Sequence, residues 1–305
     1  MQLEQSLIVE PFGKIEMHQH PQGIRIIARI RMKPHVENAQ TGLAIDGSVS
    51  MIQHFGAHLP PMFRKPENNV MQVVASSMAQ MLADFDSDGE TTVIYWATGL
   101  MGEAIEVLGD MNSDQAGKFA FVGPKKFGTG TKLAPAVSYY VKEKFPNSPW
   151  SIFVFITDGV IEDLQEVKDL TYEIAQQIAL GSRGFTKFVL IGLGSEIDES
   201  QMAELDDLNY GGLKTPEGEL VDLWDARNAA EMTTLDTVFD ECVSENSVIA
   251  NSATITDSNG NPVTPLRRSS YSDGLPALIE FICSPGSTSF TVTIPDVGSF
   301  TQPLI

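Results

Sequence analysis

The stretch "GLAIDGSVSM", residues 42–51, decides how the chain reads. Four residues with the character of a buried strand run directly into Asp46, Ser48 and Ser50, three oxygen-bearing side chains at alternate positions. A strand that enters a core and ends on three oxygens needs partners for them, and two further stretches offer similar chemistry. "FITDG", residues 155–159, places Asp158 after the apolar run "WSIFVFIT", and "FGTGTKLAP", residues 127–135, places Thr129 and Thr131 between glycines at the start of a helical pattern. Glycine freedom lets such a loop bring its hydroxyls close to one point.

The surrounding pattern sets these loops in a fold. Strand-like runs at 41–46, 91–97, 103–108, 150–157, 186–194 and 219–225 alternate with helical patterns at 69–85, 131–145, 164–179, 198–207 and 228–244. Runs that are apolar throughout, separated by helices, predict an α/β, doubly wound, mainly parallel sheet with helices on both faces. In such sheets ligands sit outside the carboxyl ends of the strands where strand order reverses, which is where the three loops fall. The ends of the chain differ. "KIEMHQH" and "GIRIIARIRM" flank a Pro21-Gln22-Gly23 turn, and after Val248 β-propensity runs are divided by Asn, Gly, Pro and Ser. Neither end is long enough for a comfortable core alone, so the two are expected to form one small β-sandwich-like module. The expected domains are 1–39 (N-terminal β hairpin), 40–245 (α/β domain) and 246–305 (C-terminal β segment).

Composition narrows the function. The chain has 305 residues, 42% of them hydrophobic, and 40 acidic against 20 basic residues give a formal charge of −20. That balance repels phosphate backbones and anionic lipid, so neither nucleic acid nor a membrane is expected as partner. No basic, apolar leader opens the sequence, and only Cys242 and Cys283 occur, so a cytoplasmic protein with reduced thiols is expected.

Hard oxygen donors without His or Cys suit Mg²⁺, with Mn²⁺ or Ca²⁺ as alternatives, and not zinc or copper. Each loop taken alone is also an ordinary cap or turn; three in order after the proper strands point to a metal. The D-x-S-x-S of Asp46 to Ser50, the threonine of the Gly-rich loop and Thr157-Asp158-Gly159 together resemble the metal-ion-dependent adhesion site (MIDAS) of von Willebrand factor A (vWA) domains. Within that family, "FRKPENN" and "ADFDSDGE" look similar to the bacterial A domains encoded with tellurium-resistance and stress-response genes. The resemblance implies a Rossmann-like sheet in which Ser48, Ser50 and Thr131 ligate the metal while Asp46 and Asp158 hold its waters, Thr129 being the alternative to Thr131. It also implies a non-catalytic protein-protein interaction module, in which the ion captures an Asp or Glu supplied by a partner protein, in a stress or metal-resistance system. A metal-dependent hydrolase using Asp46 or Ser48 as nucleophile is the contrasting reading; it lacks a second carboxylate at position 48 and a Gly-x-Ser-x-Gly elbow.

Other signals are weaker. Asp84, Asp86, Asp88 and Glu90 read as a helix stop closed by Gly89. His18 and His20 share a strand face, His54 and His58 are four apart, and neither pair has a third ligand. "GLGSEI", residues 192–197, reads as a helix-entry turn, and Arg64 and Lys65 as loop charge near the metal face.

Overall fold

The computed structural model describes residues 2–3, 8–30, 32, 36–57, 69–194, 197–216, 218–229 and 248–304. His58, Arg64, Lys65, Cys242 and most of the helix expected over 228–244 lie outside the described residues, as do Ser195 and Glu196 of the expected helix-entry turn. The chain divides into two compact units, residues 1–37 with 243–305, and residues 38–242. Three strands open the chain: β1 (Gln2–Leu3), β2 (Phe12–His20) and β3 (Gly23–Ile30).

The larger unit holds β4 (Ala39–Asp46), α1 (Val70–Phe85), β5 (Glu90–Thr98), β6 (Ala104–Asn112), α2 (Ser113–Lys118) and α3 (Ala134–Ser138). β7 (Trp150–Thr157), α4 (Leu164–Ala179), β8 (Phe185–Gly192), α5 (Glu199–Asp206) and β9 (Trp224–Asn228) complete it. Its sheet runs β6-β5-β4-β7-β8-β9; β4 pairs in parallel with β5 and β7, β7 with β8 and β8 with β9, while β6 joins antiparallel. Every residue of β7 is buried, as expected of an unbroken apolar run at the middle of a covered sheet. On one face Ala44, Ile94, Phe153, Phe155 and Phe188 pack with apolar residues of α3, α4 and α5. Residues of the other parity, among them Leu43, Ile45, Val93 and Val154, are equally buried.

Tyr140 locks the centre of that first face. α3 continues into a π-helical turn, Tyr139–Lys144, which sets the Tyr140 ring flat on Phe153 at 4.6 Å and 8°. Its hydroxyl donates to the Thr92 carbonyl at 3.0 Å. Gly42 makes room for the ring: a β-carbon there would meet Tyr140 at 2.4 Å. At the sheet's far side the fully buried Lys187 of β8 lies 3.0 Å from Asp225 and 3.1 Å from Asp222. A buried ammonium needs such partners.

Among the described residues, the ladders of the smaller unit are all antiparallel. One sheet runs β1-β2-β3-β14-β12, where β14 spans Leu278–Cys283 and β12 spans Thr264–Pro265. Strands from both ends of the chain therefore share it. A second sheet runs β11-β15-β16 (Thr254–Asp257, Ser289–Ile294, Gly298–Pro303), and β10 (Val248–Ala250) pairs with β13 (Leu275–Pro276). The Phe290 ring on β15 meets Phe12 and Phe281 edge-on, each at 5.1 Å, and joins the second sheet to the first. Such pairs contribute about 0.5–1.5 kcal/mol beyond their area. On β14, Glu280 accepts from Arg25 Nε at 2.7 Å and from Arg267 Nε at 2.9 Å. Burial alone would raise its pKa; the two guanidiniums outweigh burial and hold it below the usual value.

The expected fold class is corrected by these ladders. Of twelve strand pairings among the described residues, eight are antiparallel. The described residues are β-rich, 38% strand against 24% helix, and do not make a doubly wound, mainly parallel α/β protein of the whole chain. The physical reason lies in the connections. Short turns such as Pro21-Gln22 between β2 and β3 return a strand only antiparallel, whereas parallel pairing needs a crossover and is confined to one sheet. Element ends shift as well. β9 begins at Trp224 and not near Glu219, because Leu220 is bridged to Lys214 in a local hairpin.

Two outcomes follow. Gly42→Ala drives a methyl into Tyr140 and lowers stability in a denaturant melt by about 1–3 kcal/mol; an unchanged midpoint contradicts the packing described. Because Glu280 has a depressed pKa, its contribution is present above the ordinary glutamate range and is lost as pH falls through the folded value. Glu280→Gln therefore flattens the acid limb of the smaller unit's melt between about pH 5 and pH 3, and a wild-type-like limb sinks the assignment.

Candidate functional site

Asp46 is the last residue of β4 and is fully buried. Its Oδ1 accepts the Ser48 backbone N–H at 2.7 Å, and its Oδ2 accepts the Thr157 hydroxyl at 2.6 Å. Neither oxygen reaches solvent. Burial, the largest influence, pushes the carboxyl up to about 6 against the pull of those hydrogen bonds. Thr157 closes β7, and its hydroxyl also accepts the Gly159 N–H at 3.2 Å, which fixes the turn carrying Asp158.

The hydroxyls form a continuous chain. Ser48 Oγ and Ser50 Oγ are 2.8 Å apart, and Ser50 donates to Asp158 Oδ1 at 2.7 Å. A β-carbon added to Gly159 would stand 3.8 Å from both Ser50 Oγ and Thr131 Oγ1, so Thr131 faces the same small space. The structure thus brings Asp46, Ser48, Ser50, Thr131 and Asp158 together. Thr129 is directed elsewhere, its hydroxyl donating to the Leu100 carbonyl.

Local backbone explains why the loops meet. Gly47 donates to the Trp96 carbonyl at 2.8 Å, Val49 to the Gly128 carbonyl at 2.8 Å, and Gly128 back to the Gly47 carbonyl at 3.0 Å. Gly128 can make that approach only because it lacks a β-carbon, which would lie 2.1 Å from the Ala97 carbonyl oxygen. The Gly-rich loop is tied to the third loop as well, with Glu162 N–H donating to Thr131 O at 3.0 Å and Asp163 accepting the Leu133 and Ala134 amides at 2.8 and 2.9 Å. These bonds hold the start of α3 against the β7 turn.

Sequence reasoning missed His54. Its Nε2 lies 3.3 Å from Asp158 Oδ2, and the hydrogen bond to Asp158 raises its pKa above the ordinary histidine value. Nothing in the spacing signalled this, because the partner comes from another strand end. The remaining candidates stand apart. Asp86 accepts the Thr41 N–H at 2.7 Å and the Asp88 N–H at 3.2 Å and closes α1, as a helix stop does. His18 lies 3.7 Å from Glu16, and His20 Nδ1 accepts the Gln22 amide. Cys283 is buried and free.

The donor set fits a hard cation: two carboxylates and three hydroxyls, with space beside Gly159. Among the described residues no three His, Cys, Asp or Glu side chains gather as a metal site, so any ion here depends on the hydroxyls.

Comparisons with known proteins bear on the wider expectations. No protein-family profile matches the chain, and no curated protein matches it. Solved structures do. One is the pilus adhesin SpaC from Lactobacillus rhamnosus GG in its open conformation, with TM-score 0.38, 11% identity, and 94% of this chain and 46% of that chain covered. Another is the PilB minor pilin from Streptococcus sanguinis, with TM-score 0.41, 12% identity, and coverage of 70% and 62%. This chain spans less than two thirds of the length of either.

The expected membership of the vWA family is corrected on this ground. The loop residues that carried the resemblance are present, yet no protein-family profile matches the chain. The MIDAS label, the kinship with tellurium-resistance and stress proteins, the docking role built on it and the hydrolase alternative are withdrawn with it. So is the cytoplasmic placement, which rested on sparse cysteines and on the opening residues.

Asp46 gives the site a pH signature. A carboxyl with a raised folded pKa binds its proton more tightly when folded, so it weakens the fold as pH rises from the unfolded value toward about 6. With chelator present, wild type should lose about 2–3 kcal/mol relative to Asp46→Asn between pH 4 and pH 7. Parallel pH profiles for the two proteins would refute the buried, solvent-free carboxyl.

Proposed function

We propose that this chain is a non-enzymatic protein of structural or adhesive type whose strand-end cluster takes up a hard divalent cation, Mg²⁺ with Mn²⁺ or Ca²⁺ as alternatives. The convergence of Ser48, Ser50, Thr131 and Asp158 on one space beside a buried Asp46 carries this reading. A cation there would offset the cost of burying Asp46 and turn the hydroxyl lone pairs from each other to the ion. Ser48, Ser50 and Thr131 are the direct donors in this scheme, and the two aspartates supply charge.

The surroundings support binding over turnover. The serine hydroxyls bond to each other and to Asp158, and the His54 ring faces Asp158 and not a serine, so among the described residues no imidazole stands beside these hydroxyls. Large apolar side chains are exposed on two of these loops, Val49 between the serines and Val160 after Gly159, and on the turn after β5, Leu100 and Met101.

Titration calorimetry with MnCl₂ and MgCl₂ on the chelator-treated chain tests the proposal. One ion is expected per chain, with affinity at least about tenfold weaker in Ser48→Ala/Ser50→Ala. Absence of uptake by the wild type, or undiminished uptake by the double variant, overturns it.

A further inference from the structure

The cluster contains two carboxylates, and the surroundings restrict both. Asp46 has no oxygen to spare, since Ser48 N–H occupies Oδ1 and the Thr157 hydroxyl occupies Oδ2. Asp158 presents Oδ1 to Ser50 and has Oδ2 3.3 Å from His54 Nε2. The imidazole is not placed by chance. The His54 carbonyl accepts the Met71 amide at 3.2 Å, which ties the residue to the first turn of α1. Behind it the loop after β8 closes on the ring, where a β-carbon on Gly194 would stand 3.6 Å from Cε1 and 3.7 Å from Nε2.

Ion size then becomes a matter of denticity. Ca²⁺ takes six to eight oxygens and commonly draws both oxygens of a carboxylate, whereas Mg²⁺ takes six near-octahedral donors and accepts carboxylates through one oxygen or through water. Asp158 is the one cluster carboxylate that would give both oxygens were His54 absent. We propose that His54 is a positioning residue which, by occupying Oδ2 of Asp158, makes the cluster select a small octahedral cation of the Mg²⁺ or Mn²⁺ type over Ca²⁺. The inference rests on the cation uptake proposed above and adds to it a selectivity and the residue that sets it.

Calorimetric titrations of wild type, His54→Ala and His54→Gln with MgCl₂, MnCl₂ and CaCl₂ test it. Wild type binds Mg²⁺ and Mn²⁺ more tightly than Ca²⁺. His54→Ala frees Oδ2 and moves the Ca²⁺-to-Mg²⁺ affinity ratio toward Ca²⁺ by roughly tenfold, the scale on which partners of ligand carboxylates act. His54→Gln keeps an N–H donor at that place and restores the wild-type ratio. A wild type that prefers Ca²⁺, or a His54→Ala variant that weakens or strengthens all three ions alike, overturns the role of His54 and leaves cation uptake standing. A wild type that takes up none of the three removes both.

Discussion

A carboxylate without water is the constraint around which the larger unit is arranged. Asp46 ends a strand in the middle of a covered sheet, and its two oxygens are satisfied by one backbone amide and one threonine hydroxyl from the neighbouring strand. Removing solvent from a charge is expensive unless partners replace it. Ser48 and Thr157 supply part of that replacement, and the residual cost is visible in a carboxyl pushed up to about 6. Loop pairing through Gly47 and Gly128, the Asp163 cap on α3 and the Thr157-fixed turn all bring oxygen donors toward the same point. The fold spends ordering on these loops that packing alone does not require.

Much of the larger unit was legible because its signals are local. "WSIFVFIT" is apolar throughout and becomes a wholly buried central strand, and the helical spacing over 69–85 becomes α1. The Asp86 helix stop was likewise visible, since an aspartate followed by Gly89 at φ 79 needs no distant information. α2 escaped notice although Asn112 and Gln115 form a reciprocal cap; six residues give too short a periodicity to see. The balance of the whole chain was misjudged because the terminal runs were weighed as an appendage, and their antiparallel ladders outnumber the parallel ones.

The site divides in the same way. Asp46, Ser48 and Ser50 are neighbours in sequence, and glycines flag the loops of Thr131 and Asp158, so their meeting could be anticipated from residue types. His54 could not be. Its role depends on where a loop after β7 ends up, and an isolated histidine beside Gly56 carries no signal of that. The family and the physiological role rested on resemblance, and the compartment on sparse cysteines and the opening residues; none of these follows from the geometry of the site.

Diffraction from crystals soaked in MnCl₂, with anomalous differences collected, tests the central claim most directly. A single manganese peak is expected within ligand distance, about 2.0–2.3 Å, of Ser48 Oγ and Ser50 Oγ, with Asp158 Oδ1 facing it directly or through one water. Electron density showing the serine–serine and serine–aspartate hydrogen bonds intact under saturating manganese, with the anomalous signal elsewhere or absent, would contradict it.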